Sequence, residues 1–148
     1  MTKSPLVILA CGAKKHNLLV PRRADLLYTG PLFTSALAYA RTLAPEADTR
    51  ILSAKHGLLA LSDFILPYEQ RLNKPGSILL PDLAEQMKSL DWRGRPVTLL
   101  AGNDYCEIFV AAWYLAYRIK PTVSRPLQGL GLGQQIGWLK TVVKEAQC

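Results

Sequence analysis

The 148 residues fit one domain, and a chain of this length buries enough apolar surface to fold without a metal or a disulfide framework. Eighteen Lys and Arg against eleven Asp and Glu give a formal charge of +7, which favours polyanionic or nucleotide partners, although a solvated basic face carries the same arithmetic. No apolar run reaches the ~20 residues a bilayer span needs, and no leader pattern opens the chain, so a membrane partner is excluded. The three cysteines, Cys11, Cys106 and Cys148, are an odd set without framework spacing, which reads as a reducing, cytoplasmic setting.

In chain order, "PLVILA" at 5–10 is a continuous apolar run ending at Cys11-Gly12, the pattern of a strand buried on both faces. The loop that follows, "CGAKKH", offers Gly12 for close backbone approach. Lys14, Lys15 and His16 supply positive charge, with Arg22 and Arg23 farther along; solvated surface lysines are the plain alternative. From Gly30-Pro31 the periodicity of Phe33, Ala36, Leu37, Ala40 and Leu43 predicts a helix closed by Pro45. "TRILSA" at 49–54 and "PVTLLAG" at 96–102 are the second and third strands.

Between those strands runs the long turn-rich passage "KHGLLALSDFILPYEQRLNKPGS", and then a helix around 81–90 carrying Leu83, Met87 and Leu90. Asp104 and Glu107 stand at capping-box spacing at the start of a helix reaching about Ile119. "GLGLG" then leads into a final helix with Ile136, Leu139 and Val143 on its packing face. Alternating strands and helices predict an α/β domain over 1–148, three layers deep, with a mostly parallel central sheet. Cys11, Ser53 and Gly102 would then share one sheet edge.

That edge collects the candidate site. In "SAKHGLL", Ser53, Lys55 and His56 precede Gly57, which suits a positive-φ turn. The lysine charge would lower the imidazole pKa, fitting His56 for acid–base work near neutral pH; a backbone-bonding role in a tight turn fits the pattern equally. Cys11 is either a nucleophile or an inert strand-end thiol. Tyr28, Tyr68 and Tyr105 are candidates to stack a base, with Arg71 beside Tyr68; Tyr68 fits the core as well. Asp104 is the carboxylate best placed to orient water, and Gly102 leaves the third strand end open. Neither a P-loop nor a G-x-G-x-x-G dinucleotide fingerprint follows the first strand, and no Cys/His pair has zinc spacing, so no cofactor and no metal is expected.

"RILSAKHGLLALSDFILPYEQRL", preceded by "LLYTGPLF", resembles the superfamily of the bacterial peroxide-stress protein YaaA. That superfamily carries a Leu-Tyr-x-Gly segment, an Ile-Leu-Ser-x-x-x-Gly-Leu strand end and a Pro-Tyr-x-x-x-Leu segment. "CGAKK", "SAKHGLL" and "AGNDY" resemble a small family of phage and bacterial proteins within it, and the opening is similar to a Cys-Ser-x-x-Lys motif in a domain of archaeosine synthase. The resemblance implies a fold related to that of uracil-DNA glycosylases, DNA binding as in the YaaA branch, and base chemistry as in the archaeosine branch. The resulting expectation is an enzyme acting on a base, nucleoside or nucleic acid by N-glycosidic or base-modifying chemistry. Its rival is a non-catalytic nucleic-acid-binding module using the same lysines.

Overall fold

A computed structural model describes residues 4–147, so Cys148 lies outside the described residues. Strands β1 (Leu6–Ala10), β3 (Thr49–Ser53) and β6 (Val97–Leu100) stand at the centre of a five-stranded sheet ordered β4-β3-β1-β6-β7. Parallel pairing sets Val7 beside Thr49 and Leu6 beside Val97, and β7 (Val123–Ser124) continues the parallel set on the far side of β6. The departure is β4 (Gly57–Ala60), which folds back antiparallel on β3 with Ser53 opposite Gly57. This strand lies inside the passage that the sequence presents as turn-rich loop. Four residues with strong turn signals around them give too short a period to announce an edge strand.

Helices cover both faces. Val7, Leu9 and Ile51 point into a core shared with α2 (Pro31–Leu43) and α5 (Leu132–Ala146). Leu6, Ile8 and Leu52 point the other way, toward α3 (Leu80–Leu90) and α4 (Asn103–Tyr117), where Phe109, Trp113 and Trp92 fill the interior. Alternate β1 side chains thus feed two separate cores. This is why "LVILA" is apolar at every position rather than every second one. The four-residue helix α1 (Ala24–Leu27) joins a two-stranded ribbon of β2 (Arg22–Arg23) and β5 (Phe64–Ile65) at the side of the domain.

The helix starts differ from the capping-box expectation. Helix α4 begins with Gly102 in the capping position and no side chain caps it, so Asp104 and Glu107 do not form the reciprocal bonds their spacing suggests. Helix α2 likewise starts behind an uncapped glycine, Gly30, with Pro31 in its first turn.

Candidate functional site

The three parallel strands end together, and Ser53 at the last position of β3 shares one sheet edge with Cys11 and Gly102, which follow β1 and β6. The connections leave it in different directions. After β1 the chain runs to α2 on one face, whereas after β6 it runs to α4 on the other. The adjacent strands β1 and β6 therefore part at a topological switch point, where an open α/β sheet forms a crevice. Strand β3 only turns back into β4, so its end closes on itself.

Two cavities occupy the crevice. One, of about 390 Å³, is mostly apolar: Cys11 and Gly12 form one wall, Leu100 to Gly102 another, and Pro31, Phe33 and Ile136 the far side. The second, of about 300 Å³, is lined by Cys11, Gly12 and Ala13 together with Arg71, Lys74, Asp104 and Tyr105. The backbone from Cys11 to Ala13 thus divides an apolar chamber from a polar one. A Cβ on Gly12 would meet nothing closer than 3.6 Å, and one on Gly102 would meet nothing within 4 Å. Neighbouring protein atoms do not force glycine at either position; its effect is to leave both walls low.

At the divide, the Cys11 Sγ and the Tyr105 hydroxyl lie 3.3 Å apart. Burial raises the Tyr105 phenol above its usual range, so it stays a protonated donor at any physiological pH. Arg71 and Lys74 sit on a loop that Gln70 braces, its Nε2 donating to the carbonyls of Arg71 and Pro75 at 3.0 Å each. Asp104 lines the polar chamber and also an adjoining groove of about 570 Å³.

The "SAKHG" turn is built for another purpose. The buried Ser53 Oγ accepts hydrogen bonds from the backbone N–H groups of Lys55 (3.2 Å) and His56 (3.1 Å) and lies 2.6 Å from the Tyr68 hydroxyl. Two donors fill its two lone pairs, so its own proton goes to Tyr68. The Tyr68 hydroxyl in turn donates a hydrogen bond to the Tyr28 oxygen, 2.6 Å away. Burial holds both phenols well above their usual range. On the other side of the turn the Gln86 side chain accepts from Leu58 N and donates to the His56 carbonyl. Gly57 has φ +74°, the positive-φ turn its sequence suits.

Several expected roles change. Tyr28 and Tyr68 are buried and spent on each other, so neither offers a ring to a base, and of the three tyrosines only Tyr105 reaches the cleft. Lys15 folds back on its own loop: its Nζ lies 4.5 Å from the Tyr68 ring centre and donates to the Ala13 carbonyl at 3.2 Å. Lys14 is exposed and Gly30 lies beside its stem. Arg23 is committed to Asp25 and Glu46 rather than to an anion. His56 and Lys55 line neither cavity of the cleft; the imidazole stands edge-on to Tyr68. Burial lowers the His56 pKa first and the Lys55 charge second, which reverses the weight the sequence suggests. Gln70, Lys74 and the start of α2 are cleft components that sequence motifs do not mark, because loop and helix ends reach the crevice only through the topology. Among the described residues no group of three or more His, Cys, Asp or Glu could hold a metal ion.

Fold and cleft define an α/β protein with a mostly parallel sheet and a two-chambered crevice at the switch point. The chain belongs to the family of unknown function DUF6884, whose model matches residues 6–141. No curated protein and no solved structure matches it.

Proposed function

We propose that the protein is a nucleobase- or nucleoside-directed enzyme, working on a free nucleoside or on a nucleotide within nucleic acid. One observation carries the reading: a single short loop, Cys11 to Ala13, separates a mostly apolar chamber from one with two cations, a carboxylate and a phenol. A planar base suits the first and a sugar-phosphate the second, and both sizes fall within or near the ordinary range of small-ligand sites, about 300–1,000 Å³. The net charge of +7 supports an anionic substrate. The likeness to the YaaA superfamily, and through it to the uracil-DNA glycosylase fold, belongs to the same proposal, as does a cytoplasmic setting, which two free cysteines support.

For N-glycosidic cleavage the roles divide as follows. Arg71 and Lys74 hold phosphate. The Asp104 carboxylate orients a water toward the anomeric carbon and accepts its proton, while the Tyr105 hydroxyl, kept protonated, serves as a hydrogen-bond donor in the polar chamber. The water's hydroxyl ends on the sugar, and the departing base takes its proton from solvent, to which Asp104 returns the one it accepted. Cys11 keeps the Tyr105 hydroxyl in place at the divide.

The position of His56 outside both chambers favours a second reading, a module that binds the same ligand without transforming it. Incubation with nucleosides and short oligonucleotides, followed by mass spectrometry, separates them. A released base or a base of changed mass is expected; ligand bound and recovered intact leaves only the binding module, and no binding overturns both.

A further inference from the structure

The polar chamber is small, and its two cations come from one turn. Arg71 and Lys74 stand three residues apart in a loop closed on itself. Lys74 N donates to the Arg71 carbonyl at 3.3 Å, and Ser77 N to the Lys74 carbonyl at 2.9 Å. Asn73 N donates to Ser77 Oγ at 3.2 Å, and the Gln70 amide bonds the Arg71 and Pro75 carbonyls. Ile78 N, donating to the Ala54 carbonyl at 2.7 Å, ties the far end of the loop to the "SAKHG" turn. One braced segment therefore carries both cations, and both line one space of about 300 Å³, the lower end of ordinary ligand sites.

The surroundings of that space carry the opposite sign or little charge. Lys74 and Asp104 also line the adjoining groove of about 570 Å³, where the one further charged side chain is Glu107 and Ile78, Leu79, Ile108 and Ala111 supply apolar wall. Among the described residues no charged side chain lines the apolar chamber across the Cys11–Ala13 divide, and Lys14, exposed beside Gly30, is a single cation on that side. Lys15 and Lys55 line neither chamber, their ammonium groups standing 4.5 and 5.8 Å from the Tyr68 ring centre. Much of the remaining positive charge is paired or lies elsewhere: Arg23 and Arg41 bind Asp25, Arg95 binds Asp48, and Lys120 and Arg125 line another cavity beside β7.

From these observations, and resting on the base-directed reading above, we infer that the substrate is a free nucleoside monophosphate and that the cleft discriminates against the same nucleotide inside a polynucleotide. A phosphate monoester carries about −1.5 to −2 charges near neutral pH, which suits two cations with Asp104 beside them. An internal phosphodiester carries one, and every flanking nucleotide brings another. In the groove those flanking phosphates would meet Asp104 and Glu107 over an apolar wall, where like charges repel and hydration is lost. A cleft for single-stranded nucleic acid spreads its cations along the path of the backbone. Here the cations that line the cleft stop at one turn.

Isothermal titration at physiological salt with nucleoside monophosphates, the corresponding nucleosides and short hydroxyl-ended oligonucleotides tests it. At least one monophosphate should bind about tenfold or more tighter than its nucleoside, as a charge-assisted contact to phosphate allows. It should also bind about tenfold or more tighter than an oligonucleotide containing it, because the groove sets like charges together. Arg71→Ala combined with Lys74→Ala should bring the monophosphate down to the affinity of its nucleoside. Glu107→Lys, at an exposed position outside the polar chamber, should strengthen oligonucleotide binding at least about threefold more than it strengthens monophosphate binding. An oligonucleotide bound as tightly as the monophosphate, a monophosphate no better than its nucleoside, a double variant that binds like wild type, or no gain from Glu107→Lys would each overturn the proposal while the base-directed reading stands. Binding of none of the three classes overturns both.

Discussion

Two loops of this protein look alike in sequence and differ in use. "CGAKKH" and "SAKHG" each follow a parallel strand, and each carries lysine, histidine and glycine. The first opens onto the crevice between β1 and β6 and contributes to both chambers. The second turns straight back into β4: its serine is bonded to Tyr68, its histidine carbonyl to Gln86, and its glycine pairs with Ser53 across the turn. Residue chemistry does not distinguish a site from a brace; the direction in which the chain leaves the strand does.

The largest effect that tests this contrast comes from the brace. Ser53→Ala strips the buried Tyr68 hydroxyl and two backbone N–H groups of their common partner. It should cost about 2–3 kcal/mol, seen as a Tm lower by roughly 6–12 °C. Gly57→Ala should come close to it, at about 2 kcal/mol. It forces a side chain onto φ +74° and sets a Cβ 2.3 Å from the Gln86 Oε1 that holds the turn. Equal stability of either variant and wild type would show that the turn is not a brace.

Lys15→Ala is expected to cost less, about 0.5–1 kcal/mol, the worth of a cation over an aromatic face. Arg71→Ala at the exposed cleft rim should change stability by no more than about 0.5 kcal/mol. A thermal melt that ranks Arg71 above Lys15 would dissolve the distinction between brace and rim.

The smallest effect is a pH dependence. The folded His56 pKa lies below its ordinary value of 6.5, so the unfolded chain binds more protons as pH falls through 6.5 and below. Stability associated with neutral His56 is therefore present above that pH and declines on acidification, until the folded histidine also protonates. In His56→Gln that decline should be shallower between neutral pH and pH 5, measured by melts at both ends. An identical slope would remove the burial argument for His56.

Much of the fold was legible because periodicity is local. The continuous apolar run of 5–10 and the helical spacing of Phe33, Ala36, Leu37 and Ala40 each follow from one element's own packing. Strands β4, β5 and β7 were not, since two to four residues carry no period. The site was half legible: Cys11, Gly12, Arg71, Asp104, Gly102 and Tyr105 do meet at the crevice. The roles of Tyr28, Tyr68 and Lys15 were hidden, because their pairing spans forty residues of chain and no motif encodes a buried hydroxyl relay. Gln86 is hidden for the same reason, reaching His56 across thirty residues.

The central claim is that the crevice between β1 and β6, not the "SAKHG" turn, receives the ligand. Thermal stabilisation by a panel of nucleobases, nucleosides and short oligonucleotides tests it on three proteins: wild type, Gly102→Val and His56→Gln. At least one class should raise the wild-type Tm, because a ligand bound only to the folded state adds stability with the logarithm of its excess. The valine at 102, entering space no protein atom occupies within 4 Å of its Cβ, should abolish that rise while lowering the unliganded Tm by no more than about 4 °C, the cost of replacing glycine at the capping position of α4. The His56 variant should retain it. A rise that survives Gly102→Val and vanishes in His56→Gln, or no rise with any class, would contradict the account.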